Sequence, residues 1–121
     1  MKKLIILSFC VISAMSCTKE KFSGTQSFWY DEDTADDLVA YGITEISMYV
    51  DGNLLNTVDA SDHFIKDPGC GSGNFVFVDP GMFKRENKTH SYKVYNQVDS
   101  LIWEGVFQMS QGKCNSLRLV K

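Results

Sequence analysis

Residues 43–58 read ITEISMYVDGNLLNTV, and this stretch decides the fold class. Ile46, Met48 and Val50 alternate with Glu45, Ser47 and Tyr49. A period of two marks a strand with one face in a core and the other in solvent. Asp51-Gly52 follows at once, and a two-residue Asp-Gly loop is a strong local signal for a hairpin. Residues 53–58 are then the returning strand.

Working toward the C-terminus, residues 59–73 are turn-rich and contain Asp67-Pro68-Gly69-Cys70-Gly71-Ser72-Gly73. Residues 74–78 (NFVFV) form a strand that Asp79-Pro80-Gly81 ends as a turn. After the polar residues 84–89, strands are expected over 90–95, 100–107 and 114–120, separated by turn residues at 96–99 and 110–113. Toward the N-terminus, residues 26–30 (QSFWY) form a first strand. A short helix over 34–41 follows, with Thr34 as N-cap, Asp37 reaching back, and Gly42 placed to stop it. With one short helical segment, a parallel βαβ sheet lacks its crossovers. The expectation is an all-β protein, an antiparallel β-sandwich of about six to seven strands with one short helix.

Composition agrees with one folded domain. The 121 residues are 44% apolar, 12% aromatic and 22% charged, too apolar for a disordered chain. Twelve basic against 15 acidic residues give a net charge of −3, so there is no basic footprint and no nucleic-acid partner is expected.

The first residues have the layout of a secretion signal: a positive head (Met1-Lys2-Lys3), the uncharged run LIILSFCVI over residues 4–12, then Ser13-Ala14-Met15-Ser16 and Cys17. That run is too short for a membrane-spanning helix, which needs roughly 20 residues. Ala14-Met15-Ser16-Cys17 resembles the bacterial lipobox, in which cleavage precedes a diacylated cysteine. The plainer alternative is an ordinary signal cut near Ser16, with Cys17 left as a thiol; a cysteine directly at the cleavage end favours the lipoprotein. The organisation expected is a signal peptide over 1–16, a lipidated Cys17 with a polar tether to residue 25, and a domain over 26–121. The acyl chains would anchor the protein in the membrane. Thr18 is not the aspartate of inner-membrane retention, so the resemblance implies the outer membrane, on either face.

Of four cysteines, Cys10 falls in the signal and Cys17 is the acyl site. Cys70 and Cys114 remain as an even pair in an oxidising compartment, which argues for one disulfide. The alternative, a metal pair, lacks ligands: His63 and His90 are the only histidines, neither at ligand spacing from a cysteine, and there is no CxxC. No metal or cofactor is expected.

The order of motifs carries a further resemblance: MYVDGNLL, Gly69-Cys70-Gly71, Asp79-Pro80-Gly81, a Tyr-rich strand, Trp103-Glu104-Gly105 and Gly112-Lys113-Cys114. This resembles small bacterial lipoproteins with sandwich domains, and its first half is similar to PEGA-like or Ig-like surface modules. It covers the chain from Ile43 onward. Turns, glycines and cysteines imply a fold and an address, and no chemistry.

Residues that could carry chemistry have plainer readings. No Gly-x-Ser-x-Gly elbow accompanies the histidines, which read as loop or strand-end groups; no catalytic residue and no enzyme is expected. Residues 69–73 lack the Lys-Ser/Thr and following helix of a phosphate loop. Five carboxylates over residues 31–37 miss the calcium-loop positions and suit a helix N-terminus instead. The large aromatics Trp29, Tyr30 and Trp103 are the candidate binding residues. Trp29 and Tyr30 are neighbours on one strand, so one of them should face outward. Asp33-Thr34-Ala35, Asn87-Lys88-Thr89 and Asp99-Ser100-Leu101 are possible glycosylation triplets. The function expected is a lipid-anchored, non-catalytic envelope module presenting a surface to a protein or glycan. A carbohydrate- or ligand-binding module using exposed aromatics and a small inhibitor of an envelope-targeting hydrolase are the alternatives.

Overall fold

A computed structural model describes residues 22–69, 71–83 and 86–120. Seven strands form two sheets with one short helix: β1 (Phe22–Trp29), α1 (Glu32–Ala40), β2 (Glu45–Val50), β3 (Asn53–Asp59), β4 (Phe75–Met82), β5 (Asn87–Asn96), β6 (Leu101–Ser110) and β7 (Cys114–Arg118). One sheet has the order β4-β1-β7, the other β3-β2-β5-β6. Among the paired strands β1 and β7 run parallel, Thr25 opposite Cys114 through Trp29 opposite Arg118. The expected antiparallel sandwich therefore holds for the other pairings, with one parallel seam between chain-distant strands.

The hairpin forms as the alternation requires. Asp51 and Gly52 both take positive φ, 50° and 83°, the pair of left-handed residues that defines a type I′ turn and matches strand twist. Ile46, Met48 and Val50 lie in the core beside Phe28, Phe75, Val94 and Phe107, contributed by both sheets. The rings of Tyr92 and Phe107 sit 5.1 and 5.3 Å from that of Phe28, so aromatic edges and faces fill the centre.

Helix α1 begins earlier than the sequence suggests. Its N-cap is Asp31, whose side chain accepts from the Thr34 backbone N–H at 3.0 Å; Thr34 itself is buried inside the helix. Asp31 wins because an ionised cap with Glu32 and Asp33 in the first turn complements the helix dipole better than a hydroxyl one turn later. At the other end Gly42 N–H donates to Val39 O and Ile43 N–H to Leu38 O. This is a Schellman closure, with Leu38 and Ile43 both in the core.

Several strand boundaries differ from expectation, β5 beginning at Asn87, β6 running to Ser110 and β7 ending at Arg118; two further differences have physical reasons. Strand β4 runs on through Asp79-Pro80-Gly81 to Met82. It is an edge strand, where proline's missing N–H costs no ladder bond. The register slips by one residue there, Gly24 facing Asp79 and Phe22 facing Met82, a bulge that absorbs the proline. Strand β1 begins at Phe22, so residues 22–25, expected as tether, belong to the sheet.

Candidate functional site

The outer faces of the two sheets differ. On the three-stranded sheet the irregular segment between β3 and β4 lies against the C-terminal end of β1: the Gly71 N–H donates to Ser27 Oγ at 3.2 Å, and Phe64 N–H donates to Tyr30 O, just past the strand, at 3.0 Å. Asn74 accepts from the Tyr30 N–H and donates to Asp62 O. Arg118 lies 5.8 Å over the Trp29 ring while pairing with Asp31 at 2.7 Å. Trp29 is consequently 8% exposed and Tyr30 fully buried. Alternation does put Trp29 on the outer face, but Arg118 lies over it and leaves it buried, and Tyr30 lies past the end of the strand. Its hydroxyl donates to Ala60 O at 3.0 Å. Burial, then Asp62 and Asp59, push that phenol above the ordinary tyrosine range. Trp103 is half-buried against Tyr30, its indole N–H donating to Val120 O.

The four-stranded sheet keeps its outer face open. Ser91 and Lys93 of β5, and Glu104 and Val106 of β6, stand exposed on it. Tyr49 and Tyr95 meet there at 5.6 Å with rings 85° apart. The register that pairs Tyr49 with Lys93 and Ser47 with Tyr95 makes the two tyrosines diagonal neighbours on one face. Tyr49, Gly52, Ser91, Tyr92, Lys93, Tyr95 and Asp99 line a hollow of about 500 Å³. That volume lies within the range of small-ligand sites. The sequence placed Tyr49 on the polar side of its strand; nothing in it pairs Tyr49 with Tyr95.

A second polar cluster sits at the hairpin end. His90, expected as a loop or strand-end group, points inward from β5 with its side chain 12% exposed. Its Nδ1 lies 2.5 Å from Asp51 Oδ2, and its Nε2 is 3.8 Å from Asp79 Oδ2, sealed from solvent and without a hydrogen bond. The ring stacks on Phe107 and meets Phe77 edge-on. Asp79 also holds Lys88 at 3.1 Å. An imidazole whose free nitrogen is buried against a carboxylate has no route to a substrate. What this arrangement does is tie the β2–β3 turn, β4 and β5 together. His63 is exposed on the covering loop.

The pH dependence follows from this cluster. The His90 contact, then the Ser91 N–H, hold the Asp51 carboxyl below its usual range; the Gly81 N–H, then Lys88, do the same for Asp79. A depressed folded pKa gives stability that is present above the unfolded value, about 3.9 for aspartate, and lost as pH falls through the folded one. Urea midpoints are expected to fall between pH 5 and pH 2.5. Asp51→Asn keeps a turn that favours Asn-Gly and removes the charge. It should cost about 1 kcal/mol at pH 7, the worth of a charged hydrogen bond discounted for exposure, and flatten the acid limb. An unchanged limb would refute the assignment.

The other singled-out residues are placed as follows. Cys17, with the signal segment, and Cys70 lie outside the described residues. Cys114 opens β7, half-buried. Thr34 is 3% exposed, which closes the Asp33-Thr34-Ala35 triplet to modification. Asn87, Thr89 and Ser100 are exposed. Among the described residues no helix is long and apolar enough to cross a membrane, and no group of three or more His, Cys, Asp or Glu side chains is placed to hold a metal ion. Comparison with protein-family models, with curated proteins and with solved structures returns no match.

Proposed function

We propose that this chain is a lipid-anchored, non-catalytic module of the bacterial envelope whose binding surface is the open face of the four-stranded sheet. The observation that carries the reading is the asymmetry of the two sheets. The outer face of the smaller sheet is closed over Ser27 and Trp29 by loop, arginine and ion pair, with Val78 left exposed beyond them, whereas the larger sheet presents a tyrosine-lined hollow to solvent. Ala14-Met15-Ser16-Cys17 supports the anchor. With β1 starting at Phe22, the five residues from Cys17 reach at most about 18 Å, so the domain would ride close to the bilayer. A Cys70–Cys114 bridge belongs to the same reading. What supports it is that Asp67 accepts both from Gly69 N–H and from Ser116 Oγ on β7, which draws the loop flanking position 70 toward Cys114.

Two measurements test this. Mass spectrometry of the mature protein should find an acylated N-terminus at Cys17, and Cys17→Ser should move the protein out of the membrane fraction. An unmodified N-terminus, or one at another residue, would end the anchor. Amine-reactive footprinting should find Lys93 protected on intact cells relative to purified protein, while Lys66 on the covering loop reacts equally in both. Equal reactivity at Lys93 would end the claim for the open face.

A further inference from the structure

We infer that the hollow on the open face binds a short neutral oligosaccharide, with one sugar ring seated in the corner formed by Tyr49 and Tyr95. The inference rests on the open-face reading and names its ligand. The two rings stand nearly perpendicular at 5.6 Å and are half-buried, so one offers a flat wall and the other an edge. The C–H face of a pyranose stacks on such a wall as other apolar edges do on aromatic faces. Ser91 and Tyr95 are four residues apart on one strand, about 13 Å, and both line the hollow. That length suits several linked rings better than one.

Charge selects among ligand classes. Lys93 supplies a cation and Asp99 an anion to the same hollow. Among the described residues neither forms an ion pair or side-chain hydrogen bond, and the hydroxyls of Tyr49 and Tyr95 are equally uncommitted. An anionic ligand would meet Asp99 and a cationic one Lys93, each paying for an unfavourable charge. A neutral polyol, whose hydroxyls both donate and accept, satisfies both groups. Asp99 is also held in place. It sits at φ 60° in a turn where its N–H donates to Asn96 O, and Asn96 Oδ1 accepts from the N–H groups of Val98 and Ser100. The turn fixes the Asp99 backbone, so that only its side-chain torsions remain for a ligand to order.

The test is an array of neutral, acidic and cationic glycans probed with the full chain in detergent, followed by titration calorimetry of hits, with choline included. The expected result is binding to a neutral oligosaccharide that Tyr95→Ala weakens at least tenfold and Asp99→Asn at least threefold. Ile65→Ala, on the covering loop, should leave it unchanged. Asparagine tolerates the left-handed turn, so the second variant keeps the test valid should Tyr95→Ala fail to fold. Preferential binding of uronates, amino sugars or choline would overturn the neutral saccharide and leave the open face intact as a site. No glycan or choline binding, with Lys93 still protected on cells, would overturn it in favour of a macromolecular occupant. No binding and no protection would overturn both readings.

Discussion

Phe28→Ala is expected to lower the unfolding free energy by about 3–5 kcal/mol, the usual loss for truncating a fully buried phenylalanine. Phe28 is 0% exposed and stands on β1 of the smaller sheet while its ring meets Tyr92 and Phe107 of the larger one. Truncation therefore removes one of the rings that join the two layers, and the cavity left would lie between sheets whose separation the other side chains, Phe77 among them, fix. Neighbouring rings cannot collapse into it without breaking their own edge-to-face contacts. For a domain stabilised by about 5–15 kcal/mol, this is about a fifth of the total or more. It corresponds to a fall in Tm of at least about 12 °C. Ile65→Ala, at a position 95% exposed, should stay within about 0.5 kcal/mol. Urea unfolding of both variants checks the pair; a loss below about 1 kcal/mol at Phe28 would mean that the sheets are held elsewhere.

How far the sequence discloses this molecule depends on whether local chemistry or distant packing decides each feature. The β2–β3 hairpin is legible because alternation and Asp51-Gly52 are both local and agree. The helix stop is legible for the same reason: Gly42 and Ile43 close on residues within the preceding turn. Pro80 misleads because its effect depends on edge position, and edge position follows from a pairing with β1 more than fifty residues away. Trp29 misleads likewise, since an outward position on a strand says nothing of an arginine from the last strand that lies over it. The parallel seam of β1 and β7 joins opposite ends of the domain, and no pattern of turns encodes it. The hollow shares this limit. Tyr49 reads as a residue on the polar side of its strand and Tyr95 only as the end of another, and only the β2–β5 register makes them a corner. The aromatics that looked most like binding groups, Trp29 and Tyr30, are large and apolar enough that the fold uses them for packing.

Removing the bridge proposed between Cys70 and Cys114 is expected to cost about 4 kcal/mol, from the loop entropy of about 44 residues in the unfolded chain. The enclosed segment contains β4, β5 and β6 entire, two of which form the outer half of the larger sheet. In an unfolded chain without the cross-link, those strands must find β1 and β2 from a much wider ensemble. A domain of this size has a modest core, so the constraint is a large share of its stability. It also acts at the parallel seam: Cys114 pairs with Thr25, and parallel ladders are the weaker kind. The Cys70→Ala/Cys114→Ala variant should therefore lose stability by the same amount as reduced wild-type protein, and reduction should have no effect on the variant. Gel mobility of the wild type should shift on reduction. Should reduction leave its urea midpoint in place, there is no bridge, and the seam between β1 and β7 must be held by its backbone ladder, the Ser116–Asp67 contact and the Arg118–Asp31 pair alone.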